Sequence, residues 1–265
     1  MVAPNGAYKQ SSDHPALPLT PAALAQEAKQ CLDARASMIH LHVRASNGEH
    51  LLEAQAYTDA TRAIRQAVGD ALVVQVTTES AKRYAPPAQM QVVRYLRPEA
   101  ASFAIAELLP DARAEAEGAE FFAWVHREAI MAQYILYLPA DLLRFHDLRQ
   151  RGVLPPGRSA VLFVLGRYTA AQKSDPRDLL PFLSPMPDDS LQWSVCAFGA
   201  TENACVLTAA ALGGHARVGF ENNLFLANGA VAPHNAALVT QVREGLSLMG
   251  RQAGTAEQMR AWFGG

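Results

Sequence analysis

Two histidines alternate with apolar residues in Ser37-Met38-Ile39-His40-Leu41-His42-Val43-Arg44. The run is apolar and β-branched enough to form a strand, and on a strand residues i and i+2 share a face. His40 and His42 therefore present two imidazoles side by side, a common donor type for zinc and similar divalent ions. The same spacing also fits a pair of hydrogen-bonded core histidines. A catalytic metal needs about three protein ligands and an open position. Near the far end of the chain, His215-Ala216-Arg217-Val218-Gly219-Phe220-Glu221 puts Arg217, Gly219 and Glu221 on one strand face by the same period. Glu221 offers the missing carboxylate, and Gly219 leaves room for an ion or a substrate. His215 is a rival ligand, but six residues of strand separate it from Glu221 by roughly 20 Å. Both cannot hold one ion. A buried Arg217 needs an acid partner, either Glu221 or a substrate carboxylate.

These groups meet only if the second and last strands come together. Strand and helix patterns alternate along the chain: strands at 2–3, 37–44, 72–77, 101–105, 133–138, 160–165, 191–196 and 216–220. Helical patterns follow at 20–35, 56–68, 88–96, 114–129, 140–149, 176–182, 201–212 and 235–248, with a last helix at 256–262. Thr20 before Pro21 is an N-cap followed by proline at the first helical position. Near-continuous apolar strands between amphipathic helices imply a parallel sheet covered by helices. Eight such units make an α/β fold, a single (β/α)8 TIM barrel over residues 1–265 with a C-terminal helical extension. An open doubly wound sheet is disfavoured because its glycine-rich first turn is missing. A barrel of this kind works at the C-terminal ends of its strands. His40, His42 and Glu221 stand there on staves that become neighbours of the first when the sheet closes. Asn5 and Tyr8 after strand one, Thr77 and Glu79 after strand three, and Ser102 on strand four are further rim candidates. Thr78, Glu79 and Ser80 read equally well as helix caps. His14 can reach the site from strand one, whereas His50, His126, His146 and His234 read as surface or structural.

Composition narrows the class of partner. With 265 residues, 50% hydrophobic and 18% charged, the chain can bury a sizeable core. A net charge of -2 gives no electrostatic reason to expect nucleic acid or an anionic membrane. Cys31, Cys196 and Cys205 are odd in number and lie in apolar contexts, which suits reduced packing residues of a cytoplasmic protein. The opening residues lack the pattern of a signal peptide, and no apolar run approaches the length of a membrane span. We expect a soluble cytoplasmic enzyme acting on small molecules.

Three segments together resemble the β-keto acid cleavage enzyme family: Ala3-Pro4-Asn5-Gly6-Ala7, Met38-Ile39-His40-Leu41-His42-Val43-Arg44, and Gly214-His215-Ala216-Arg217-Val218-Gly219-Phe220-Glu221-Asn222-Asn223. The resemblance spans nearly the whole chain. It implies a zinc-dependent (β/α)8 homotetramer that condenses a β-keto acid with acetyl-CoA and releases acetoacetate and a new acyl-CoA by retro-Claisen cleavage. It also implies zinc on His40, His42 and Glu221, with Arg217 orienting the base and Thr77 near the substrate. Three departures stand out. Asn222 occupies the place of the family's usual aspartate, and an amide cannot accept a proton at neutral pH, so Glu79 or Tyr8 is the nearest base. Tyr8 or a neighbour replaces a glutamate that reads an amino group in some members. Val164-Leu165-Gly166-Arg167-Tyr168 lacks the glycine-rich continuation common after strand six, which puts CoA use in question. The rival readings are a zinc hydrolase of the amidohydrolase type and a barrel that binds a metal-chelated keto acid without turnover.

Overall fold

A computed structural model describes residues 1–184 and 191–263. Its main sheet is parallel and runs β1 (Met38–Leu41), β4 (Val73–Thr77), β5 (Ala100–Ala104), β6 (Met131–Leu136), β7 (Ser159–Leu165), β8 (Leu191–Ala197) and β9 (His215–Ala216). Val2 closes the ring, because it bridges in parallel to Ile39 on one side and to Val218 on the other. Eight staves result, and the fold is a TIM barrel as the alternation predicts. β2 (Val43–Arg44) and β3 (His50–Leu51) form a separate antiparallel ribbon at the rim.

The helices lie close to the positions read from the sequence. They are α1 (Pro21–Asp33), α2 (Ala54–Val68), α3 (Pro86–Leu96), α4 (Ile105–Leu108), α5 (Glu115–Arg127), α6 (Pro139–Gln150), α7 (Leu180–Leu183), α8 (Glu202–Ala211), α9 (Asn235–Leu248) and α10 (Ala256–Phe263). Thr20 caps α1 through its side-chain oxygen, which accepts from the Ala23 amide. The pattern at 176–182 resolves into a 3₁₀ turn, Pro176–Leu179, followed by the single turn of α7.

Strand alternation sorts the side chains into two shells. Ile39, Leu41, Val74, Val76 and Phe103 face outward and pack with helix residues such as Leu24, Tyr57, Ile64, Phe121 and Phe122. Met38, Val73, Ala100 and Met131 fill the inner floor, where Met259 of α10 joins them, so the C-terminal extension plugs the base of the barrel. Ala104, Ile135, Leu162, Val164 and Cys196 form an upper apolar group. Among the buried polar residues of the strands are His40, Gln75, Ser102, Gln133 and Ser194. Hydrogen bonds satisfy much of this polar set. Among the described residues, no helix is long and apolar enough to cross a membrane.

Three expectations are corrected. The strand through 37–44 is broken at His42, which lies between β1 and β2. There the side chain of Asn5 replaces a neighbouring strand: its Oδ1 accepts from the His42 amide at 3.2 Å and its Nδ2 donates to the His42 carbonyl at 2.8 Å. The last strand also ends early, and the chain turns at Gly219, whose carbonyl accepts from the amides of Asn222 and Asn223. Gly219 does not leave room for a ligand. At φ 144° it lies against the first stave, where a Cβ would stand 2.2 Å from the Ala3 carbonyl oxygen.

Candidate active site

The stave ends bring His40, His42 and Glu221 to one point. The two Nε2 atoms are 3.2 Å apart, and Glu221 Oε2 lies 3.6 Å from that of His40 and 3.5 Å from that of His42. Several contacts fix the Glu221 turn. Gly6 abuts the carboxylate stem so closely that a Cβ there would stand 2.6 Å from Glu221 Cγ. Lys9 Nζ donates to the Glu221 carbonyl at 2.7 Å, and the Glu221 amide donates to Ala3 at 3.1 Å. Behind the turn, buried Glu202 accepts from the Gly219 amide and from Asn223 Nδ2, each at 3.2 Å. Burial pushes the Glu202 carboxyl up to about 8 despite those donors.

The protonation of His40 follows from its neighbours. Gln75 Nε2 donates to Gln133 Oε1 at 3.3 Å, and Gln133 Nε2 donates onward to Ser194 Oγ at 3.4 Å. This chain turns Gln75 Oε1 toward His40 Nδ1, 2.8 Å away. Nδ1 then carries the proton, and Nε2 points a lone pair at His42 and Glu221. Burial, outweighing the pull of Glu221 and aided by Arg217 and His42, lowers the His40 pKa to about 3, so the ring is neutral. The Glu221 carboxyl is driven the other way. Its burial favours the neutral acid, but the Arg217 guanidinium holds it well below the ordinary carboxylate range.

Three electron-pair donors thus face one another, and buried Glu221 Oε2 has no hydrogen-bond partner among the described residues. Two ligands on a tetrahedral zinc, each about 2.0–2.2 Å from it, stand roughly 3.3–3.5 Å apart. The observed separations match, so the donor set fits a divalent ion. Gln75 would position His40 for such an ion. Gln75→Leu should weaken divalent-metal affinity by about 10–100-fold, measured by competition with a chelating dye. Unchanged affinity would show that the glutamine chain does not orient His40.

Arg217 stands next to this cluster, 3% exposed. Its Nη2 donates to Glu221 Oε1 at 2.8 Å and contacts Cys196 Sγ at 3.4 Å and Asn222 Oδ1 at 3.5 Å. Nε and Nη1 are buried and have no partner among the described residues. Arg217, His40 and Glu221 line a cavity of about 160 Å³, together with Lys9, Glu79 and Arg167. Tyr8 and Thr77 also reach its wall. Tyr8 Oη donates to Glu79 Oε1 at 3.2 Å, and Thr77 Oγ1 accepts from the Glu79 amide at 3.0 Å. Burial raises the pKa of the Glu79 carboxyl.

The remaining candidates stand apart from direct contact. Asn5 borders the cavity, but its amide is committed to His42 and Pro18. Ser102 is buried in the barrel and is not part of the cavity wall, and Asn222 sits behind Arg217. His14 does not join the donors. It packs on Phe220 at 4.2 Å and bonds to the Ala232 carbonyl at 2.9 Å. His215 lies near the base, against Trp262 and Gln192. The sequence reading missed four contributors: Lys9, Gln75, Arg167 and His50. The ring of His50 is 5.2 Å from that of His42 and bonds to the Glu79 carbonyl. Gln75, a polar residue within an apolar strand, was a visible signal.

Known proteins resemble the chain along most of its length. A curated 3-keto-5-aminohexanoate cleavage enzyme of Acetoanaerobium sticklandii is 28% identical over 98% of this chain and 95% of its own length. A 3-oxoadipate:acetyl-CoA acetyltransferase of Cupriavidus necator is 27% identical over 99% and 93%. The apo structure of ObcA shares the fold, with a TM-score of 0.74 at 18% identity over 94% of this chain and 66% of that one. A ternary complex of ObcA with a C4-CoA adduct and oxalate gives a TM-score of 0.71 at 19% identity, over 94% and 68%. The sequence pattern of the beta-keto acid cleavage enzyme family matches residues 1–264, and the chain belongs to that family.

Proposed function

We propose that the enzyme joins a β-keto acid to acetyl-CoA and releases acetoacetate and a new acyl-CoA. The observation that carries this reading is the convergence of His40, His42 and Glu221 beside buried Arg217 donors at one cavity. Two nitrogen donors and one oxygen donor suit zinc. When bound, the ion supplies Lewis acidity to the keto and carboxylate oxygens of the substrate. Arg217 turns its unpaired N–H groups to the negative charge that develops there. Glu79 accepts a proton from C2, a task for which a raised carboxylate pKa is favourable. Tyr8 and the Thr77 hydroxyl hold Glu79 in place.

The balance is simple. C2 bonds to the acetyl carbonyl carbon as CoA thiolate leaves. The thiolate then attacks the C3 carbonyl, the C2–C3 bond breaks, and Glu79 returns its proton to C2. Acetoacetate keeps C1 and C2 of the acid, while the remainder leaves on CoA. On the family likeness the enzyme works as a homotetramer, and its three free, buried cysteines suit the reducing cytoplasm.

The test is an assay of β-keto acids with acetyl-CoA, with and without chelator. Acetoacetate and acyl-CoA should form in equal amounts, only with both substrates, and chelator should stop the reaction. Glu79→Gln should lower kcat by about 10²–10⁴-fold. Product formed without acetyl-CoA would identify a hydrolase, and no product with any acid would identify a binder.

A further inference from the structure

The loop after β7 carries Arg167 and lacks the glycine-rich continuation that the resemblance leads one to expect. That loop is anchored. Thr169 Oγ1 donates to the Gly166 carbonyl at 3.0 Å and accepts from the Lys173 amide at 2.9 Å, while Ser174 Oγ donates to Phe198 at 2.8 Å. The guanidinium lies 5.1 Å from the Tyr8 ring centre and 5.3 Å from that of Phe198, within cation–π range of both faces. Its position on the cavity wall is therefore fixed.

The charges around the cavity do not cancel. Lys9, Arg167 and Arg217 face two carboxylates, Glu79 and Glu221. Arg217 takes Glu221 at 2.8 Å. Lys9 Nζ is bonded to a backbone carbonyl rather than an acid. Arg167 approaches Glu79 only at 3.8 Å, beyond hydrogen-bond distance, and Glu79 already accepts from Tyr8. A bound divalent ion adds further positive charge, which one substrate carboxylate does not balance. Arg167 thus has one long ion-pair contact with Glu79, and its hydrogen-bonding capacity is left for a further anion.

Resting on the proposed transferase reading, we infer that Arg167, supported by Lys9, selects a β-keto acid carrying a second carboxylate at its far end. A substrate whose keto and carboxylate oxygens lie at His40, His42 and Glu221 turns its tail to the remaining cavity wall. A tail carboxylate pairs with the guanidinium fork. An ammonium tail meets two cations, and an alkyl tail leaves Arg167 with only its long contact to Glu79.

The test compares 3-oxoadipate with 3-oxohexanoate, which has equal chain length and a neutral tail, in the wild type and in Arg167→Met and Arg167→Lys. The wild type should favour the dicarboxylate in kcat/KM by about 10–100-fold. Arg167→Met should collapse that ratio toward one, mainly through KM for the keto acid, and Arg167→Lys should restore part of it. Calorimetric binding of 3-oxoadipate should weaken by a similar factor in Arg167→Met. Equal use of both acids by the wild type, an unchanged ratio in Arg167→Met, or a rise confined to the KM of acetyl-CoA would overturn the assignment. The last result would place Arg167 on the CoA phosphates. If no acid turns over, calorimetry still decides: Arg167-dependent binding supports the assignment while the transferase reading falls, and Arg167-independent binding sinks both.

Discussion

Glu221→Gln should lose its bound divalent ion and its turnover together, with kcat/KM falling by at least about 10³-fold. The amide preserves the shape of the side chain between Gly6 and Arg217, so the fold survives. It removes the one anionic donor of the triad. His40 and His42 stay 3.2 Å apart, but two ligands are too few for a tightly held zinc. Glu221→Ala has a second consequence. Arg217 loses its closest carboxylate, and breaking a buried ion pair from one side costs about 3–5 kcal/mol. Denaturant unfolding in the presence of chelator isolates that cost from the loss of metal. Full metal occupancy in Glu221→Gln would exclude Glu221 as a ligand.

Arg217→Met should behave differently. It retains His40, His42 and Glu221 and should keep its metal, while kcat/KM falls by about 10²–10³-fold. The reason is the pair of buried nitrogens, Nε and Nη1, that have no partner among the described residues. Leaving such donors unsatisfied is costly in a structural arginine. They are accounted for if substrate oxygens complete them during reaction. Arg217→Lys should not rescue the rate, because an ammonium cannot reproduce the planar fork. Metal content and steady-state kinetics on the same preparation separate the two variants. An Arg217→Met enzyme with normal kcat would reduce the arginine to a structural partner of Glu221.

Much of this arrangement was legible in the chain itself. Apolar runs of strand length between amphipathic helices give the barrel, and the His-x-His spacing with Glu221 on the last stave gives the donor triad. Period-two reasoning worked for His40 because β1 is regular there. The strand is interrupted at His42, where the side chain of Asn5 replaces a strand partner thirty-seven positions away, yet the two imidazoles still converge. No local pattern encodes such a contact. Gly219 was misread for a similar reason, since its neighbour is the Ala3 backbone at the far end of the sequence. The first stave came down to one bridging residue, Val2, held by its neighbours rather than by its own propensity. Lys9 and Arg167 are loop residues whose importance depends on which acids lie near them. Gln75 and Gln133 were readable, since amides inside apolar strands need a buried partner.

X-ray diffraction at the zinc absorption edge, on crystals grown with zinc, bears most directly on whether the triad is a metal centre. One strong anomalous peak per chain should appear between His40 Nε2, His42 Nε2 and Glu221 Oε2, at about 2.0–2.2 Å from each. A peak elsewhere, or none at that point, would contradict the triad as the seat of catalysis.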